Sequence, residues 1–106
     1  MPLVEPDAYK GKPEDEIRLD VSLDGWAPQK LIHTADDIYE PHQHAEEKLL
    51  VILSGSMRLR IGRNWTTLLP GDKAIVPGMA EHEATMGKQG CTFFWAERLP
   101  DTDSGD

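Results

Sequence analysis

Leu49-Leu50-Val51-Ile52-Leu53 is a run of five apolar residues with no polar interruption. In an extended chain successive side chains point to opposite faces, so this run has no face to give to water. It therefore predicts a strand buried between two layers and marks the centre of the core. A strand of that kind needs partners, and the remainder of the chain supplies short stretches that suit the role. Met57-Arg58-Leu59-Arg60-Ile61 puts Met57, Leu59 and Ile61 on one side and the arginines on a solvated other side. Lys30 to Thr34, Trp65 to Leu69, Lys73 to Val76, Glu83 to Met86 and Cys91 to Arg98 read as further strands. Ile17-Arg18-Leu19-Asp20-Val21-Ser22-Leu23-Asp24 alternates without error and reads as a strand with one buried face.

Turn chemistry separates these stretches. Ser54-Gly55-Ser56 reads as a tight reversal, Gly62-Arg63-Asn64 and Asp36-Asp37 as turns, and Gly87-Lys88-Gln89-Gly90 as a polar turn. Pro70-Gly71-Asp72 favours a type II turn, because Pro fixes φ at the second position and Gly tolerates the third. No stretch requires a helix. Short strands with Gly and Pro punctuation predict an all-β fold, a small antiparallel barrel or sandwich.

With 106 residues the chain is long enough for one domain with a real core and too short for two. Residues 1–16 contain three prolines and no apolar period, and read as an irregular arm. Residues 17–99 read as the barrel and 100–106 as a disordered acidic tail. The formal net charge of −8 argues against nucleic acid as a partner, since phosphate binding depends on clustered Lys and Arg. No apolar run approaches the roughly 20 residues of a membrane-spanning helix, and the first residues lack the pattern of a leader, so a cytoplasmic protein is expected. The single cysteine, Cys91, excludes an internal disulfide and fits a reducing compartment.

The chemistry-bearing residues gather in two places. His42 and His44 lie two apart, so on a strand they project from one face toward one point, which is a metal-ligand arrangement. A third histidine, His82, lies between a turn and an apolar stretch, while the fourth, His33, stands outside both motifs. If the strand from Ile38 is regular, Ile38, Glu40, His42 and His44 share a face and Glu40 neighbours the site. Pro41 has no amide hydrogen, which places this stretch at an edge or beside an irregularity.

Taken together, the segment from His42 to His82 resembles the cupin superfamily of small β-barrels. The family's first motif is His-x-His, three or four residues, a Glu, six residues and a Gly, and His42, His44 and Gly55 fit it. Its second is a Gly, five residues, Pro-x-Gly, two residues and a His, which Gly71, Pro77 and His82 fit. The resemblance covers about residues 30 to 98 and implies a jelly-roll-like double-stranded β-helix. Two positions depart from the pattern. Lys48 stands where the family has its Glu ligand, and Met79 replaces the motif's second Gly. The ligand set implied is His42, His44 and His82, with Glu47, Glu46 or water as the fourth member, the carboxylates requiring a local bulge.

The resemblance further implies one divalent transition metal per chain, zinc, iron, nickel, manganese or copper, and a homodimer formed through sheet edges. The function it implies is a metal-dependent enzyme of dioxygenase, isomerase or lyase type acting on a small polar or carboxylated molecule. The alternative is a non-catalytic module that binds a small ligand in the same pocket. Tyr39, Glu40, Glu46 and Glu47 are the available acids and bases, and no spacing singles one out. Phe93, Phe94 and Trp95 read as core or dimer contact.

Overall fold

Two long antiparallel strands organise the chain, β4 (Glu47–Ile61) and β7 (His82–Arg98). The computed structural model describes residues 3–99, and the expected acidic tail lies outside the described residues. β4 and β7 pair from Glu47↔Arg98 to Ile61↔His82. Shorter strands flank them: β1 (Val4–Glu5) and β6 (Lys73–Val76) continue the sheet beyond the first half of β4, and β2 (Gln29–His33) beyond the second half of β7. On the other halves, β5 (Asn64–Leu68) pairs with β4 and β3 (Ile38–His42) with β7. The result is one seven-stranded antiparallel sheet, bent at the middle into a barrel-like form, as the strand pattern predicts.

The bend explains a departure from expectation. Ser54-Gly55-Ser56 does not reverse the chain, and neither does Gly87 to Gly90; both lie within continuous strands. The pairing of β4 with β7 slips between Ile52 and Ser54 and again between Gly55 and Met57. Inward positions accordingly switch from Leu50 and Ile52 to Met57, Leu59 and Ile61, yet all five residues join one core cluster. Glycine is needed at this crossing for two reasons. Gly55 has φ 76°, and a Cβ there would sit 2.1 Å from the Gly90 carbonyl oxygen.

The apolar run has both faces buried, as expected. Leu50 and Ile52 face the inside of the sheet, with Phe93, Leu68 and Val76 among their cluster. Leu49 and Val51 face outward into a second cluster with Phe94, Ala96, Trp26, Tyr9, Ile17 and Val21. Ile17 and Val21 belong to a helix, α1 (Glu14–Leu23), where the alternating pattern predicted a strand. The two readings differ in which residues share a face. The helix buries Ile17 and Val21, four apart, and leaves Leu19 60% and Leu23 78% exposed. Glu14, Asp15 and Glu16 occupy its first turn, where negative charge complements the helix dipole, and Lys12–Glu16 (3.0 Å) and Arg18–Glu14 (3.8 Å) add pairs along its surface. The segment expected to be an irregular arm thus holds β1, the buried Tyr9 and the start of α1.

The turn after β5 forms as predicted: Gly71 has φ 94° and the Asp72 amide donates to the Leu69 carbonyl at 2.9 Å. The buried Asp72 carboxylate accepts from the amides of Leu69 and Asp7, both at 2.8 Å, and so ties the N-terminal segment to the sheet. No helix among the described residues is long and apolar enough to cross a membrane.

Candidate metal centre

β3 delivers the first histidine through an irregularity. Ile38 and Tyr39 pair with Thr85 and Ala84 of β7, and the register then slips so that His42 lies opposite His82. Pro41, lacking a donor, sits in that slip on a strand paired only with β7, as its chemistry requires. The slip changes which residues share a face: Tyr39, rather than Glu40 or Ile38, lines the same cavity as His42. His44 lies in the loop after β3, and that loop is fastened to the one before β7. The Met79 amide donates to the His44 carbonyl at 2.5 Å, and Gln43 Nε2 donates to the Met79 carbonyl at 2.9 Å. Met79 has φ 67°, so the left-handed conformation is present here although the side chain is not glycine's.

The three imidazoles converge. Ring centroids of His42 lie 4.4 Å from His44 and 4.2 Å from His82, with His44 and His82 5.7 Å apart. One nitrogen from each lies within 4.8 Å of the others, a spacing at which the three can hold one ion. Two tautomers are fixed by the backbone. His42 Nδ1 donates to the Glu40 carbonyl at 2.5 Å and His82 Nδ1 to the Ala80 carbonyl at 3.0 Å, so each ring presents the Nε2 lone pair. Histidine ligands of metals are commonly oriented in this way. Burial pushes the His82 pKa below its ordinary value and favours the neutral, ligating form; the bond to Ala80, next in size, opposes it, and the smaller effects of the nearby His42, His44 and Lys48 charges add to the lowering.

The carboxylates considered as a fourth ligand are elsewhere. Glu47 points away from the cavity and accepts from Arg98 Nε at 2.8 Å, so no bulge brings it to the histidines. Glu46 and Glu40 do not line the cavity either. Lys48 does. It is 8% exposed, shares the inward face of β4 with Leu50, pairs with Glu97 on the neighbouring strand, and lies 5.0 Å from the centroid of the Trp95 ring. The partner is not Glu46 or Glu47: Glu97 lies directly across from Lys48 on β7, whereas the adjacent Glu47 faces the opposite way and Glu46 precedes β4.

The cavity has a volume of about 330 Å3. Leu31, Leu50, Met57, Leu59, Ala84 and Trp95 give it apolar walls, and Tyr39, Gln29, Lys48 and the histidines provide its polar groups. Trp95 is therefore cavity wall, while Phe93 and Phe94 are core. The even parity that Lys48 shares with Leu50 was the available signal for its inward direction. For Tyr39 there was none, since its direction depends on the slip in β3.

A family model described as the cupin domain matches residues 32–97. The chain is a cupin. No curated protein matches it. Among solved structures, an RmlC-like cupin from Shewanella frigidimarina is 17% identical with a TM-score of 0.64, covering 74% of this chain and 69% of that one. A conserved protein of unknown function from Streptococcus pyogenes is 14% identical with a TM-score of 0.63, covering 72% of this chain and 66% of its own. A single-residue variant of oxalate decarboxylase from Bacillus subtilis is 20% identical with a TM-score of 0.64 over 70% of this chain, but this cupin spans only 21% of that longer protein. At such identities the likeness is one of fold. The first motif of the cupin is thus present with Lys48 in place of its acid, and the second with Met79 in place of its glycine.

Proposed function

We propose that this cupin is a metal-dependent enzyme with a three-histidine centre, acting on a small carboxylated or otherwise anionic molecule. The observation that carries the reading is the meeting of His42, His44 and His82 on the wall of one cavity, with Nε2 of His42 and His82 left free by their backbone bonds. Neutral imidazoles without a carboxylate suit zinc, iron(II), nickel or copper better than a hard, oxygen-seeking ion. Bound there, such an ion would supply Lewis acidity or redox chemistry to the cavity.

The chain's own residues would do the rest. The apolar walls exclude water and strengthen every electrostatic interaction with a bound molecule. Lys48 brings a cation where the family has an anion, which makes the cavity more receptive to negative charge. Its pairing with Glu97 and its contact with the Trp95 ring hold it in place. We also propose that two copies associate through a free sheet edge; β2 pairs only with β7 and exposes Ile32.

Elemental analysis of protein purified without chelator or an affinity metal tests the centre. One equivalent of a divalent transition metal per chain is expected, and most of it should be lost in the His42→Ala/His44→Ala double variant. Stoichiometric metal in that variant would refute the assignment. A bound metal whose remaining positions admit no small anion in a displacement titration with oxalate or malonate would favour a non-catalytic role.

A further inference from the structure

His33 belongs to neither histidine motif, yet the fold joins it to the cavity. Tyr39 Oη lies 2.6 Å from His33 Nε2, and His33 Nδ1 lies 3.4 Å from Asp37 Oδ2. The imidazole is held flat against the buried Phe93, centroids 5.6 Å apart at 17°, and meets the Tyr39 ring edge-on at 5.2 Å. With its Nδ1 hydrogen toward the carboxylate, His33 presents the Nε2 lone pair to the Tyr39 hydroxyl. Tyr39, itself 37% exposed, lines the cavity that the three converging histidines also line, and Asp37 at the far end is 47% exposed. The row of three groups thus leads from the cavity wall to the Thr34–Asp37 turn at the surface.

A purely structural clamp would be redundant here. The turn holding Asp37 is already closed by the Asp37 amide on the Thr34 carbonyl (3.3 Å) and by the Thr34 amide and hydroxyl on Asp37 Oδ2, both at 3.0 Å. It is also tied to β7 by the Met86 amide on the Asp37 carbonyl at 2.8 Å. Neither His33 nor Tyr39 is needed to keep that shape.

We propose that Tyr39, His33 and Asp37 form a proton relay serving the cavity, with Tyr39 Oη as the group that exchanges a proton with a bound acidic small molecule. In the forward direction a bond from hydrogen to the ligand's acidic atom breaks and that proton bonds to Tyr39 Oη. The phenol's own proton moves to His33 Nε2. The ligand keeps the electron pair and one negative charge, and the imidazolium formed rests beside the Asp37 carboxylate. Reversal returns the proton to the ligand or to a leaving group. The relay deepens the proposed function by naming its acid–base group, and it rests on that reading only for the ligand's place in the cavity, since no member of the relay belongs to the histidine cluster.

The reactivity of Tyr39 tests it without a known substrate. The full chain, metal-loaded or freed of metal by chelation, is treated with phenylmethanesulfonyl fluoride at neutral pH, and modification of each tyrosine is followed by peptide mass spectrometry. Sulfonylation forms the Oη–S bond, breaks S–F, releases fluoride and passes the phenol proton to His33. Tyr9, whose hydroxyl donates to Asp20 at 2.5 Å, is the internal control. Tyr39 should react about 100-fold faster than in His33→Gln, the lower end of general-base assistance, and several-fold faster than in Asp37→Asn. Equal rates in wild type and His33→Gln, or no modification of Tyr39 in wild type, would overturn the relay. Should His33→Gln fail to fold, Asp37→Asn decides, because a hydrogen-bond clamp survives that change and charge support does not. Slow Tyr39 in a protein that binds its metal would remove the relay alone, and fast Tyr39 in a protein that binds none would remove the metal centre alone.

Discussion

Lys48 sets the character of the site. Its ammonium faces the cavity of the three histidines and contributes to keeping His82 neutral, so it opposes any cation placed among them. Replacing it with a neutral side chain should therefore tighten metal binding, and Glu97, 39% exposed, can be left to water. We expect Lys48→Met to raise affinity about 10-fold, the scale on which groups around a metal's ligands act, and Lys48→Glu to raise it further by restoring an acid at the family position. Competition against a chromogenic chelator measures both, and equal affinity in all three proteins would show that Lys48 does not face the ion. His82 gives a pH dependence to the metal-free protein. Burial sets its folded pKa below the ordinary value of 6.5, so on acidification the unfolded chain takes up the proton first. The stability it contributes is complete above about pH 6.5 and is lost as pH falls through the folded value. Thermal midpoints of chelated protein should fall between pH 7 and pH 5, and by less in His82→Gln; identical slopes would remove His82 as the cause.

At the scale of elements, α1 shows how one pattern serves two structures. Apolar residues at 17, 19, 21 and 23 read equally as a strand face and as two sides of a helix, and tertiary packing decides between them. The signals for a helix were also present: Pro13 immediately before an acidic first turn, and Gly25 just past the end. In the helix Ile17 is buried against the outer face of β4, so Ile17→Ala should cost about 2–4 kcal/mol, while Leu19→Ala should stay within about 0.5 kcal/mol. Urea unfolding separates the two, and equal losses would favour the strand. The bends at Gly55 and Gly90 were legible as glycine positions but not as bends, because a reversal and a strand crossing use the same residue. What distinguishes them is the partner that approaches: Gly55→Ala would place a methyl group 2.1 Å from the Gly90 carbonyl oxygen. The direction of Tyr39 was hidden for a similar reason, since a one-residue slip in β3 leaves no mark in composition.

On the scale of the whole molecule, the histidine site was legible because its spacing is tied to the fold: His42 and His82 become direct neighbours across β3 and β7 whatever the loops between them do. The relay through His33 was not, because it depends on how the Thr34–Asp37 turn aims three side chains at one another. The same distribution of residues bears on what a metal does for stability. None of the three histidines belongs to either apolar cluster, and of the pairs that join β4 to β7 only the terminal one, Ile61↔His82, involves any of them. A small zinc module that depends on its ion has no such core and unfolds on chelation. This chain should instead keep its β-sheet circular dichroism when the metal is removed, and lose only the stabilisation that binding adds. For free metal at 100 times Kd that addition is about 2.7 kcal/mol, which in a domain of this size raises the thermal midpoint by about 10–20 °C. Both halves of the expectation come from one pair of melts, with and without chelator. Loss of the folded spectrum on chelation would mean that the histidine cluster is part of what holds the sheet in its bent form. An unchanged midpoint in the presence of excess zinc, nickel and iron(II) would mean that the cluster binds none of them.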